Sequence, residues 1–390
     1  MQSQKNDPAF SKLSRPREID QIKIAEQPLK GCEAFPQIAS RFEAWWNQEV
    51  IDRPIFIGMA DSNPARPITS RVELIDQPEI WTREKMMDAA QFVYTGDAFP
   101  MIQIDIGSQP LASIWGGIRE HGKDTVWTKP VIDDEWEHEP DWVITAENKY
   151  WKTAKTLLRY LQEEAPGKFL ICSPDWGAAG DLLALLRGSE GLCTDLYLNP
   201  EKIMNAQNRI FGGWENVFTF LYHNSIPKDA GVCEWLRVWS NTPATVCACD
   251  FSALISTRDF TRFFVPEIEK RAAACGRALY HLDGPDAVKH IDTILEIPEI
   301  KAVQFSPPPG EFTALGWIDL FKKIQSKGRS VLIFCPPEEV LTVAEELEPE
   351  GLALVLRQQS LKVQSFSSMF TPLAPGDLND LFRQFCNKSL

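Results

Sequence analysis

The chain has 390 residues, 44% of them hydrophobic, and a formal charge of −14 from 40 Lys and Arg against 54 Asp and Glu, which supports a sizeable core and argues against a phosphate backbone as partner. No apolar stretch reaches the roughly 18 to 20 residues of a membrane span and the N-terminus MQSQKNDPAFSKLSRPRE lacks a signal-peptide core, so no membrane partner is expected and the cytoplasm is the expected compartment. Nine cysteines without a CxxC pair read as reduced thiols rather than as a disulfide framework.

Residues 1–35 are polar, carry Pro8, Pro16 and Pro28, and read as an N-terminal arm; residues 36–390 read as a single domain. An amphipathic segment at 36–50 follows, whose Trp45 and Trp46 are expected to pack. Eight short apolar runs then recur, at 54–59, 100–106, 169–172, 245–249, 278–281, 302–305, 330–334 and 352–356. Parallel strands covered by helices outside and filled by side chains inside look continuously apolar, so this series predicts an α/β fold, a (β/α)8 TIM barrel. The barrel carries an N-terminal extension and a long insertion after the second strand. That insertion, about residues 108–150, holds Trp115, Trp127, Trp136 and Trp142 and is expected to form a lid or rim over the barrel mouth.

The later helices show helical spacing and stop signals. Asp286 is placed to cap a helix bearing Val288, Ile291, Ile294 and Leu295 that stops near Pro298. Trp317, Leu320, Phe321 and Ile324 form a second stripe ending at Gly328, and Val340, Val343, Ala344 and Leu347 a third after Pro337. All three are read as barrel cover.

Active sites of this fold lie at the C-terminal strand ends. The polar residues there are Asp61, Asp105 and Ser108, Asp175 and Trp176, Asp250, His281 and Asp283, Gln304 and Ser306, Cys335, and Arg357 with Gln358. Tyr280-His281-Leu282-Asp283-Gly284-Pro285 is the sharpest of them. Two residues apart on a strand, His281 and Asp283 point the same way, either as an acid/base pair or as part of a metal site. Asp250 ends the fourth strand beside them; Cys247 and Cys249 before it read as core. Asp175 and Trp176 precede the small residues Ala178-Ala179-Gly180, whose exposed N–H groups could take an anion. Cys335 is a candidate thiolate, and Arg357 a candidate partner for an anionic group. Serine-hydrolase, zincin, P-loop and Rossmann signatures are absent.

Several stretches together resemble the superfamily of uroporphyrinogen decarboxylase and the cobalamin-dependent methyltransferases. They are Leu185-Leu186-Arg187-Gly188-Ser189-Glu190 with Asn199-Pro200-Glu201, Asp250-Phe251-Ser252-Ala253-Leu254-Ile255-Ser256 with Phe263-Phe264-Val265-Pro266, and His281-Leu282-Asp283-Gly284 with His290-Ile291-Asp292. The last is similar to a subgroup known as trimethylamine corrinoid protein of a second type. The resemblance runs from about residue 40 to 385. It implies a barrel with its site at the strand C-termini, and either porphyrinogen decarboxylation or methyl transfer between a corrinoid protein and a small compound. Members that transfer methyl groups bind zinc through His-x-Cys and a later Cys; here the pair is His281-x-Asp283, and Cys335 lies one strand early. The resemblance thus implies at most an altered Zn2+ site of His281, Asp283 and Cys335. The decarboxylases carry an arginine-rich first-strand loop, whereas this chain has Gly58-Met59-Ala60-Asp61-Ser62.

The expected function is therefore methyl transfer between a small methylated compound and a separate corrinoid protein. His281, Asp283 and Asp250 would be catalytic, and Asp61, Asp105, Asp175, Trp176, Gln304 and Arg357 would line the substrate. A decarboxylase or other lyase, and a non-catalytic small-molecule binding protein, are the alternatives.

Overall fold

The computed structural model describes residues 32, 34–66, 77–104, 106–107, 109–121, 126–224, 231–308, 313–357 and 373–388. Strands form at all eight apolar runs: β1 Ile55–Asp61, β2 Met101–Gln103, β3 Leu170–Cys172, β4 Thr245–Ala248, β5 Ala278–Asp283, β6 Ile300–Ser306, β7 Ser330–Cys335 and β8 Leu352–Leu356. Six of them pair in parallel in the order β1-β8-β7-β6-β5-β4. The fold is α/β with a mostly parallel central sheet, and the described residues do not show the expected closed barrel. The antiparallel strand Phe92–Gly96 occupies the outer edge of β1, with Ile57 opposite Gly96 and Asp61 opposite Phe92, and becomes the seventh strand. β2 and β3 are three residues long and pair only with each other among the described residues. No described ladder joins β1 to β2 or β3 to β4. Beside β3 lies instead a hairpin of Val232–Cys233 and Trp239–Ser240, tied to it by the Ser173 N–H donating to the Cys233 carbonyl at 3.0 Å.

Strand alternation sorts the core in two. Ile55, Ile57, Met59, Cys172, Val246, Leu279, Ala302, Leu332, Phe334, Ala353 and Val355 fill the space enclosed by the strands. Their sequence neighbours Phe56, Cys247, Tyr280, Val303, Phe305, Ile333 and Leu354 face the helices. The helix stripes behave as cover: Ile291, Ile294, Phe321, Ile324, Val340 and Val343 are buried. Asp286, however, makes no side-chain cap; Pro285 opens the turn instead, and Asp286 sits in its first turn.

The helix Phe35–Trp46 seals the N-terminal strand ends. Trp45 Nε1 donates to the Val331 carbonyl at 3.3 Å and Trp46 Nε1 to the Trp239 carbonyl at 2.9 Å, while Ser330 Oγ donates to the Trp45 carbonyl. The packing expected of both tryptophans is thus met. Asp97 ties helix, first strand and its antiparallel neighbour together. Its fully buried carboxylate accepts from Arg41 Nη1 at 3.0 Å, from both terminal nitrogens of Arg53 and from the Phe56 N–H at 2.9 Å.

The insertion after β2 differs from the expected lid. Trp115, Trp136 and Trp142 are buried, Trp115 packs edge-on to Trp142, and Trp136 Nε1 donates to Asp195 at 3.0 Å. The Val131 and Ile132 N–H groups donate to the Leu186 carbonyl, so this segment is a fixed flank of the helical layer. Trp127 lies outside the described side chains. Among the described residues no helix is long and apolar enough to cross a membrane.

Removing one member of a buried ion network leaves the other uncompensated. Asp97→Ala is expected to cost about 3–5 kcal/mol of folding stability, measured by urea unfolding; a loss below about 1 kcal/mol would show that the network does not tie the N-terminal helix to the sheet.

Candidate active site

Inward parity carries past the apolar layer to the C-terminal strand ends. Leu279 faces inward, so His281 and Asp283 follow it; Ala302 leads to Gln304, Val246 to Ala248 and Val355 to Arg357, while Asp250 opens the short 3-10 turn after β4. His281 stands opposite Gln304 in the β5–β6 ladder and Asp283 opposite Ser306. His281 Nδ1 is hydrogen-bonded to Gln304 Oε1, while Gln304 Nε2 donates to Ser306 Oγ at 3.2 Å. With the amide so oriented, its oxygen accepts the Nδ1 proton, so proton exchange at this ring falls to Nε2. The ring of Trp235 meets the imidazole edge-on at 5.3 Å.

Carboxylates gather around this histidine. Asp175 feels its charge and is held by the Gly177 N–H, which donates to Oδ1 at 2.9 Å. Burial nonetheless raises the Asp175 carboxyl above its ordinary range, against the lowering effects of that bond, of His281 and of Arg271. Asp250 remains open to solvent in a recess of the protein; the desolvation there, then the charges of Asp283 and Asp175, push its carboxyl up to about 7. Its proton is therefore exchangeable at neutral pH.

Two further carboxylates that the sequence reading passed over belong to the same set. Asp181, in the helix Ala179–Arg187, accepts from the Phe251 N–H at 2.9 Å and so fastens that helix to the loop after β4. Burial first, then Asp250, raise its carboxyl well above the usual range. Glu234, in the turn of the Val232–Cys233 hairpin, is buried, and desolvation raises it well above the usual range too, with Cys233 and Asp175 adding to the rise. Each is a lone acid in an otherwise apolar stretch, Ala178-Ala179-Gly180-Asp181-Leu182-Leu183 and Val232-Cys233-Glu234-Trp235-Leu236, which is the sequence signal that marks them. Arg271 supplies little compensation. It is buried, paired with Glu267 at 2.6 Å, bonded to the Gly177 carbonyl at 3.1 Å and stacked on Trp214.

The structure therefore brings His281, Asp283, Asp250, Asp175 and Gln304 together and places Asp61 and Trp176 elsewhere. Asp61 accepts from the Asn63 N–H and from Gln91 Nε2, both at 2.8 Å, and serves the loop after β1. Trp176 is buried in the helix-facing core against Trp151, not in the inward layer. Arg357 stacks on the inward Phe334 ring at 5.1 Å. Asp105, Ser108 and Gln358 lie outside the described residues.

The altered zinc site is corrected by the same parity. Phe334 faces inward, so Cys335 faces the helices, buried among them with its Sγ towards the Pro336 carbonyl at 3.4 Å, and burial holds its thiol well above the ordinary range. His281 and Asp283 face the other way. Among the described residues no three His, Cys, Asp or Glu side chains gather as a set that could hold a metal ion. The residues do not fit the implied zinc, and no step is derived through it.

The architecture itself is shared. A methyltransferase from Methanosarcina mazei has a similar fold, with a TM-score of 0.57 at 11% identity over 90% of this chain and 98% of that one. No protein-family model and no curated protein matches the sequence.

A raised carboxyl makes the folded state hold a proton that the unfolded chain releases, so the charge penalty at Asp250 sets in between the ordinary value of 3.8 and about 7. Asp250→Asn removes that penalty. Relative to wild type, the variant is expected to gain stability as pH rises from 4 to 7 and to keep a constant gain above 7, in thermal melts across that range. A variant no more stable at pH 8 than at pH 4, relative to wild type, would contradict the strained carboxyl.

Proposed function

We propose that this protein is a methyl-transfer enzyme that moves a methyl group between a small methylated compound and a corrinoid carried by a separate protein. The observation that carries the reading is one constellation at the strand ends: His281, bonded through Nδ1 to Gln304 and felt by Asp175, and Asp250, whose carboxyl Asp283 and Asp175 help to push up to about 7 so that its proton is exchangeable near neutrality. The likeness in fold to a methyltransferase and the resemblance of the His281 and Asp250 segments to corrinoid-dependent enzymes support it.

In this reading the acidic recess favours a cationic or hydroxylated substrate, because carboxylates such as Asp283 attract positive charge and repel other carboxylates close to them. When a methyl group leaves nitrogen or oxygen, the electron pair of the broken bond stays on that atom. Asp250, protonated below about pH 7, supplies the proton that neutralises a leaving oxygen, and His281 Nε2 takes and returns protons next to it. The corrinoid, when its protein docks, supplies the centre that accepts or donates the methyl group.

A lyase reading stands second, because the same proton donor could quench a carbanion left by loss of carbon dioxide. The two separate in one assay, in which the protein is incubated with trimethylamine, other methylated amines or methyl ethers and reduced cobalamin while the corrinoid spectrum is followed. Methylated cobalamin is expected, with the rate falling roughly 10²–10⁴-fold in His281→Ala and, for ethers, rising as pH drops through about 7 in wild type but not in Asp250→Asn. Carbon dioxide release from a carboxylic acid with an unchanged corrinoid spectrum would overturn methyl transfer in favour of the lyase.

A further inference from the structure

Arg237 occupies an unusual place that the site described so far does not use. It ends the four-residue turn Glu234–Arg237 of the hairpin beside β3, its N–H donating to the Glu234 carbonyl at 2.8 Å, with Cys233 paired to Trp239 just outside. Its φ is +63°, in the left-handed region that an arginine adopts only at a cost. Its half-buried side chain makes no ion pair and no hydrogen bond among the described residues. The groups facing the guanidinium are Tyr94, Cys172 and Cys233, all among or packed against the inward layer. None is a counter-ion: the Tyr94 hydroxyl already donates to the Ala89 carbonyl at 2.7 Å, and burial keeps the Cys172 thiol protonated. Desolvation alone is the leading influence on this arginine, and it works against the charge.

A half-buried, uncompensated cation in a strained backbone position is retained at a cost to stability, and the group that would repay that cost is an anion from outside. At the other corner of the turn the Glu234 carboxyl group makes no hydrogen bond among the described residues and faces the acid set around Asp175. Cys172 senses both Glu234 and Arg237, so both side chains lie within electrostatic reach of its thiol. Trp235 between them carries the turn onto His281.

We propose that Arg237 anchors a single carboxylate, so that the ligand of this protein is a small molecule with a carboxylate at one end and the cationic or hydroxylated centre at the other. The anion half stands on Arg237 alone; the far half rests on the methyl-transfer reading above. A monoanion matches because no second cation is among the groups that face the guanidinium, whereas a phosphate dianion would call for one. The two ends would lie along the turn, the carboxylate on Arg237 and the methylated centre towards Asp250 and His281.

Titration calorimetry on the full chain tests this with trimethylammonioacetate, its methyl ester, which keeps the cation and loses the anion, and inorganic phosphate. In wild type the acid is expected to bind about tenfold or more tightly than the ester, and phosphate not to compete with it. In Arg237→Gln the two should bind alike, and Arg237→Lys should keep part of the difference. Arg237→Asn, whose side chain tolerates the positive φ, guards against misfolding, and both it and Arg237→Gln are expected to melt no lower than wild type without ligand. Equal binding of acid and ester in wild type, no binding of the acid, discrimination that survives Arg237→Gln, or variants that melt several degrees lower would each overturn the anion site. Arg237-dependent binding of the acid without any methyl transfer from it would leave the anion site standing and count against the methyl-transfer reading instead.

Discussion

A carboxylate taken out of water has to find a cation or keep its proton, and the acids at the open ends of these strands make no ion pair among the described residues. Arg271, whose charge both Asp175 and Glu234 feel, is already paired with Glu267 and stacked on Trp214. Asp175, Asp181, Glu234 and Asp250 therefore share an environment in which burial raises each of them and their mutual repulsion raises some further. Such an arrangement opposes folding. It persists because the sheet beneath it and the helix that seals the opposite end hold the strand ends fixed.

That support is apolar and one-sided. The inward layer from Ile55 to Val355 closes the space below the site, Trp45 and Trp46 close it at the N-terminal ends, and Asp97 fastens the sealing helix to β1. The polar layer above consists of the next inward positions on the same strands. Gln304 fixes the His281 tautomer from the neighbouring strand, and the hairpin beside β3 fills the side where no strand ladder forms, bringing Glu234, Trp235 and Arg237 into the enclosed space. The gap in the sheet is thus where the most polar wall of the site enters.

Much of this was legible in the sequence, for a simple reason. β-branched and aromatic runs mark strands wherever both faces are buried, so all eight strands fall on the expected runs, and the alternation within 278–283 puts His281 and Asp283 on one face. Closure of the barrel was not legible, because it depends on which backbone takes the free edge of β1, and Phe92–Gly96, directly following a helix, takes it in antiparallel sense. Cys335 was misplaced because its side of the strand depends on the inward phase, which Phe334 sets and which no single residue announces. Asp181 and Glu234 were missed because a lone acid in an apolar stretch carries no motif, although its isolation is itself a signal of a buried charge. The tryptophans of the insertion read as a rim, since exposed aromatics and buried ones look alike in sequence; Trp136 is inside because Asp195 accepts its indole proton.

The central claim is that a carboxyl at the strand ends, that of Asp250, holds its proton near neutral pH. It is tested most directly by carbon-13 NMR of protein labelled at the aspartate carboxyl carbons, titrated from pH 4 to pH 9. The account predicts one resonance with a midpoint near 7 that is missing from Asp250→Asn. Titration of every aspartate that ionises in this range below pH 5, with no resonance lost near 7 in that variant, would contradict it.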